Sequence, residues 1–172
     1  GTGLLTAELA PALGHLHVIE IDRDLAAGLR NRFEAATVTV HEADALEFDL
    51  ASLPAPLRVA GNLPYNVSTP ILFRIAAAAG RIPDCTFMLQ KEVVDRMVAE
   101  PGTADYGRLS VMLQYRFAMH ALLEVPPEAF TPPPKVDSAV VRMVPLPAGR
   151  PAARDEERFG RLVGAAFAQR PK

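Results

Sequence analysis

Four short stretches of this sequence carry residue types that could recognise a planar nitrogen base. The most specific is Asn62-Leu63-Pro64-Tyr65. An exocyclic amine on an aromatic ring is a poor nucleophile because its lone pair is delocalised into the ring. It reacts when it is allowed to pyramidalise and is held in line with an electrophile. The side-chain oxygen of Asn62 and the main-chain carbonyl of Leu63 or Pro64 could accept its two N–H bonds together, favouring that geometry through fixed dipoles. Pro64 stiffens the turn, and Tyr65 offers an aromatic face for an extruded base. Upstream, Asp44 in Glu42-Ala43-Asp44-Ala45 could accept from an adenine amine while the Ala45 amide donates to adenine N1. Glu20 could accept from both hydroxyls of a ribose. Gly1-Thr2-Gly3 could let backbone approach a ligand and present the free N–H groups of a helix start. Each stretch alone has a plainer reading: an Asn-x-Pro turn, a loop carboxylate, a surface carboxylate or cap beside Asp22 and Asp24, a tight turn. Their order favours a site, because Glu20, Asp44 and Asn62 each stand at or just beyond the end of a strand-like run, where open parallel sheets bind ligands.

The elements that must position these residues alternate. Leu4 to Leu13 has a helical pattern after the glycines, and His17 to Ile21 reads as a buried strand. Arg23 to Phe33 follows as a helix with Asp22 as N-cap. Thr37 to Val40 and Leu57 to Ala60 read as strands, the latter running into Gly61-Asn62. A helix capped by Ser68 or Thr69, with Pro70 in its first turn, is expected to about Ala79. Thr86 to Leu89 is a fourth strand, and helices are expected over Lys91 to Ala99 and Gly107 to Arg116. Such alternation specifies an α/β fold, a mostly parallel sheet covered by helices. The pattern changes at Leu122 to Pro126 and Ser138 to Val144, two strand-like segments joined by a Pro-rich loop, which read as an antiparallel hairpin at the sheet edge. Residues 1–147 are expected to form one catalytic domain. Residues 148–172 read as a linker and the first helix of a helical C-terminal subdomain, with Phe159, Leu162, Val163, Ala166 and Phe167 at helical spacing over Glu156 to Gln169.

Composition narrows the class. The 172 residues suffice for a real core, and 49 % are apolar. No apolar run approaches the roughly 18 residues of a membrane span, and nothing reads as a signal peptide. The single cysteine, Cys85, cannot form an internal disulfide and reads as a small core residue, so a reducing, cytoplasmic setting is expected. Net charge is −2, but its distribution is uneven: residues 1–85 hold six Lys/Arg against ten Asp/Glu, and residues 86–172 hold twelve against ten. A basic end can attract phosphates, although a solvated surface would look the same. His15, His17, His41 and His120 lack mutual ligand spacing, so no metal is expected. Neither a Gly-x-Ser-x-Gly elbow nor a Gly-x-x-x-x-Gly-Lys loop occurs.

Seven segments together resemble the ribosomal RNA adenine dimethyltransferases, and the bacterial small-subunit branch most of all. They are Gly1 to Thr6, Val18 to Asp22, Asp44-Ala45, Gly61 to Asn66, Phe87 to Val93, Tyr106 to Ser110 and Phe130 to Ser138. The resemblance implies a Rossmann-like class I methyltransferase fold with S-adenosylmethionine as cofactor. It implies cofactor binding by Gly1, Gly3, Glu20, Ile21, Asp44, Ala45 and Asn62, and reception of the target amine by Asn62, Leu63, Pro64 and Tyr65. Tyr65 and Phe130 would contact the flipped base from its two faces, and Gln90, Lys91 and Arg108 would face the RNA. The substrate implied is a pair of adjacent adenosines in the 3′-terminal hairpin of small-subunit ribosomal RNA, each methylated twice, with the RNA or the precursor of the small subunit as partner of a monomeric enzyme. RNA loops suit such chemistry because their bases are already partly unstacked.

The chain opens inside the glycine motif, without the strand that precedes it in the family. It is therefore expected to be a fragment that binds cofactor and RNA poorly alone. Two other classes compete. One is a non-catalytic RNA-binding assembly or transcription factor on the same scaffold, against which the intact Asn62 motif, Glu20 and Asp44 argue. The other is an N-methyltransferase acting on DNA adenine or a protein glutamine. Motifs of that class usually carry Pro where Leu63 stands, and the Phe130 to Ser138 segment would then be unexplained.

Overall fold

The structure, a computed structural model, describes residues 1–168. Gln169, to which the last helix was expected to run, lies outside them. The described chain divides into two compact units, Gly1–Leu53 and the residues from Pro54 onward.

In the first unit, Gly3 adopts a left-handed conformation (φ 82°) and caps α1 (Leu4–Leu9). A Cβ at this glycine would meet Leu29 Cδ2 at 2.6 Å, so both the dihedral and the packing call for glycine. Helix α1 was expected to reach Leu13. It gives way to a 3-10 turn at Ala10–Ala12, where Pro11 supplies no N–H for an α-helical bond. Strands β1 (Leu16–Glu20) and β2 (Val38–Glu42) pair in parallel, from Leu16 opposite Val38 to Glu20 opposite Glu42. Between them runs α2 (Arg23–Arg32), capped as expected: the Asp22 carboxylate accepts from the amides of Asp24 and Leu25. Its Ala26 and Leu29 are buried. Strand β2 extends two residues past the expected Val40, so Asp44 lies two residues beyond its end.

The second unit holds a four-stranded sheet in the order β3-β4-β6-β5, comprising β3 (Val59–Asn62), β4 (Cys85–Gln90), β5 (Phe117–Val125) and β6 (Ser138–Pro145). Strands β3 and β4 are parallel, and β6 is antiparallel to both of its neighbours. Among the described residues four α-helices accompany the sheet: α3 (Ser68–Ala77), α4 (Lys91–Val98), α5 (Arg108–Gln114) and α6 (Glu156–Ala168). Burial alternates strictly along β4, with Cys85, Phe87 and Leu89 inside. These join Val141 and Met143 of β6, Leu72 and Ile75 of α3, Val94 and Met97 of α4, and Leu113 of α5 in one apolar core. Each such large side chain contributes about 1.5–3 kcal/mol of burial. Helix α6 approaches α5 closely: a Cβ at Gly160 would lie 3.5 Å from Met112 Cε, and the Tyr115 and Phe159 ring centroids are 4.7 Å apart. No helix among the described residues is long and apolar enough to cross a membrane.

Two expectations about this unit are corrected. Neither Ser68 nor Thr69 caps α3. The N-cap position belongs to Val67 and has no side-chain bond, while the Ser68 hydroxyl turns back to donate to the Tyr65 carbonyl. Strand β5 begins at Phe117, five residues before Leu122, because Phe117 faces the core and extends the pairing with β6 as far as Pro145.

Candidate active site

In the first unit the ends of β1 and β2 are tied by main-chain pairing, and the Ala43 amide donates to the Glu20 carbonyl at 3.1 Å. The Glu20 carboxylate accepts from the Asp22 amide at 2.9 Å, a bond that favours its ionised form. Asp44 directs Oδ1 to the Leu46 amide at 2.8 Å, and its carbonyl accepts from Glu47 and Phe48. Among the described residues its Oδ2 and the Ala45 amide make no bond within the chain. An acceptor and a donor thus stand side by side, the pattern that the Watson–Crick edge of adenine requires. Ile21 follows β1 with 66 % of its surface exposed, an apolar face next to the Glu20 carboxylate.

In the second unit Asn62 is the last residue of β3, opposite Met88, and is exposed. The chain leaves the sheet through the Leu63 amide, which donates to the Met88 carbonyl at 3.1 Å. The Pro64 carbonyl is taken by the Val67 amide at 3.2 Å, whereas the Leu63 carbonyl accepts no bond among the described residues. The Asn62 side-chain oxygen and the Leu63 carbonyl are therefore unbonded acceptors at this strand end, whereas the Pro64 carbonyl already carries one bond. Gln90 ends β4 and pairs with Ser138 at the start of β6. The Lys91 amide donates to the Asp137 carbonyl, so Asn62, Tyr65, Gln90, Lys91 and the end of the Phe130–Ser138 segment share one edge of the sheet.

The ribosomal RNA adenine dimethylase family matches residues 1–172, the whole chain. The chain belongs to this family. It is 64 % identical over 172 residues to the ribosomal RNA small subunit methyltransferase A of Aromatoleum aromaticum, covering all of this chain and 65 % of that protein. It is 60 % identical over 173 residues to the protein of the same name from Chromobacterium violaceum, covering 66 % of it. The chain thus spans about two thirds of the length of these relatives. Among solved structures it resembles a dimethyladenosine transferase from Plasmodium falciparum, with 28 % identity, a TM-score of 0.85, and coverage of 100 % of this chain and 62 % of the other. It also resembles the 23S rRNA methyltransferase ErmE, with 30 % identity, a TM-score of 0.79, and coverage of 98 % and 67 %. The fold is the Rossmann-like class I methyltransferase fold.

The remaining expected residues are placed less centrally. The Lys91 ammonium bonds both Asp95 oxygens and pairs with Glu124 at 3.3 Å, interactions that raise its pKa, with the Asp95 bond the largest cause. Its charge is already neutralised by these two carboxylates. Arg108 stands at the start of α5 with its guanidinium against α6, 3.9 Å from where a Cβ on Gly164 would sit. Phe130 is half-buried in its loop and makes no ring contact with Tyr65. Two features escaped the sequence. His15, which precedes β1, His17 of β1 and His41 of β2 form a row, with His17 Nδ1 3.1 Å from His41 Nε2. Parallel pairing builds that row from residues 24 apart in the chain, which linear spacing does not reveal. Among the described residues no group of three His, Cys, Asp or Glu is arranged to hold a metal. The second feature is the hydroxyl of Ser138, which lies 3.2 Å from that of Tyr65.

Proposed function

We propose that this chain carries the catalytic part of an enzyme that transfers methyl groups from S-adenosylmethionine to adenine N6. Its substrate is two adjacent adenosines in the 3′-terminal hairpin of small-subunit ribosomal RNA, each of which it methylates twice. The observation that carries this reading is the open pair of acceptors at the end of β3, the Asn62 side chain and the Leu63 carbonyl, beside the exposed face of Tyr65.

Two acceptors suit an aromatic amine. By taking both N–H bonds they draw the nitrogen out of conjugation and aim its lone pair away from the two hydrogens. The Tyr65 ring supplies a stacking surface for the extruded base, and Phe130 a second wall. Bound S-adenosylmethionine supplies a methyl carbon on a positively charged sulfur. In the first unit the ionised Glu20 carboxylate suits the ribose diol, Asp44 Oδ2 and the Ala45 amide suit the adenine edge, and Ile21 suits the ring face. Gly1 and Gly3 suit close approach of the methionine portion. The proton lost by N6 after transfer passes to water at the exposed Asn62 rim. That open rim also leaves room for a first methyl group when the base returns for its second.

Residues 1–147 are taken as the catalytic domain, and residues 148–172 as a linker and the first helix of a helical subdomain. The protein acts as a monomer in the cytoplasm on the precursor of the small subunit, with Gln90 at the RNA-facing strand end. The test is methyl transfer from labelled cofactor by the full-length protein to under-methylated small ribosomal subunits, naked DNA and a release factor in parallel. Label in the ribosomal RNA alone is expected. Transfer only to DNA or protein overturns the substrate assignment, and no transfer to any of them favours a binding factor.

A further inference from the structure

Tyr65 is 40 % exposed, and an exposed tyrosine ordinarily samples several rotamers. Here it is held at both ends. Its carbonyl accepts from the hydroxyl of Ser68 at 3.3 Å, and its phenol shares a hydrogen bond of 3.2 Å with the hydroxyl of Ser138. Ser68 and Ser138 are 3 % and 2 % exposed. Ser138 is a fixed point, because it opens β6 and its main chain is paired with Gln90 of β4 on one side and Val125 of β5 on the other. In the sheet, β4 lies between β3 and β6. Those two strands are therefore two spacings apart, about 10 Å. A side chain that starts three residues past β3 and bonds the first residue of β6 must lie across the carboxyl end of β4. A buried hydroxyl needs a partner, and among the described residues the Ser138 side chain has Tyr65. Alanine would fill the same place in the core without that requirement.

We propose that Ser138 is a positioning residue for methyl transfer: it fixes the Tyr65 ring over the end of β4 as a preset wall for the target base. This rests on the reading of Tyr65 as the surface that receives the base. Order in the ring is then established before the RNA arrives, so the base does not bear the entropy of immobilising it. A serine that merely satisfied a strand end would affect folding but not the Tyr65 ring or turnover.

Two measurements on the full-length protein test the proposal. The first uses fluorine NMR of protein labelled with meta-fluorotyrosine, in which the signal lost in Tyr65→Phe is that of Tyr65. In Ser138→Ala that signal is expected to shift and narrow toward free fluorotyrosine. An unmoved signal overturns the proposal whatever the activity. The second is a double-mutant cycle on kcat/KM for under-methylated small subunits. Loss of one neutral hydrogen bond predicts a fall of about two- to tenfold in either single variant. The KM for cofactor is expected to be unchanged, and the double variant no worse than either single one. Undiminished turnover in Ser138→Ala, or losses that multiply, overturns the proposal. Absence of transfer by the wild-type protein instead overturns the enzymatic reading, and the fluorine signal still decides whether Ser138 holds Tyr65.

Discussion

Replacing Asp84 should release an electrostatic clasp that joins three segments of the second unit. Its carboxylate is nearly buried, at 7 % exposure. It accepts from Arg58 Nε and Nη2 and from Arg142 Nη2, each at 2.8 Å. Arg58 immediately precedes β3, Asp84 immediately precedes β4, and Arg142 lies in β6. The bonds from Arg58 are the largest cause of a carboxyl pKa held down at about 2, against an ordinary value of 3.8. Burial works in the opposite direction, and Arg142 adds to the depression. A difference of 3.8 − 2 = 1.8 units corresponds at most to about 2.4 kcal/mol. The arginine side chains are 71 % and 48 % exposed, so water screens them, and about 1–2 kcal/mol is a sounder expectation. Because the folded pKa is depressed, this stability is present above pH of about 4 and is lost as pH falls through about 2. Asp84→Asn also leaves two guanidinium groups facing a neutral amide, so its cost at neutral pH should reach about 2–3 kcal/mol. Urea unfolding of wild type and variant across pH is the assay. The stability difference should be largest near neutrality and shrink between pH of about 4 and about 2. A difference that is independent of pH in that window, or below about 0.5 kcal/mol throughout, would refute the reasoning.

Three further outcomes are expected. Gly3→Ala should destabilise the first unit by about 1–3 kcal/mol, since alanine must adopt a left-handed φ and displace Leu29. Gly14→Ala, with nothing within 4 Å of the added carbon, should not, and equal unfolding temperatures for the two variants would contradict the packing around Gly3. Cys85 is 1 % exposed, and burial pushes its thiol up to about 12, so thiol reagents should label it only as fast as the protein unfolds. Prompt stoichiometric labelling of the native protein would count against its place in the core. His17 should titrate below a free imidazole, because burial first, and then the neighbouring His15 and His41, disfavour its charged form. Its stabilising neutral state is therefore lost as pH falls, and an NMR titration giving a raised pKa would contradict the row of rings.

What the sequence disclosed was local. Asp22 as the cap of α2 and Asn62 at the end of β3 were legible because a capping side chain and a strand end are set by neighbours in the chain. The start of β5 was not, because Phe117 owes its extended pairing to β6, nearly thirty residues on. The Ser68 hydroxyl resembles a helix cap in sequence, yet it serves Tyr65. Lys91 reads as a cation free for RNA until β5 brings Glu124 to it, although its other partner, Asp95, was visible at helical spacing. The preference for the Leu63 over the Pro64 carbonyl also depends on structure, since only the fold shows that Val67 already donates to the second. The bond between Tyr65 and Ser138 spans 73 residues and no local pattern encodes it.

The central claim is that Asn62, with the Leu63 carbonyl, holds the adenine amine for methylation. The most direct measurement is nucleoside analysis of small-subunit ribosomal RNA treated with full-length wild-type or Asn62→Ala protein at saturating cofactor, with cofactor affinity measured alongside. The account predicts dimethyladenosine in the 3′-terminal hairpin with wild type, and almost none with Asn62→Ala at nearly unchanged cofactor affinity. Wild-type turnover by Asn62→Ala at saturation, with cofactor binding lost instead, would contradict it.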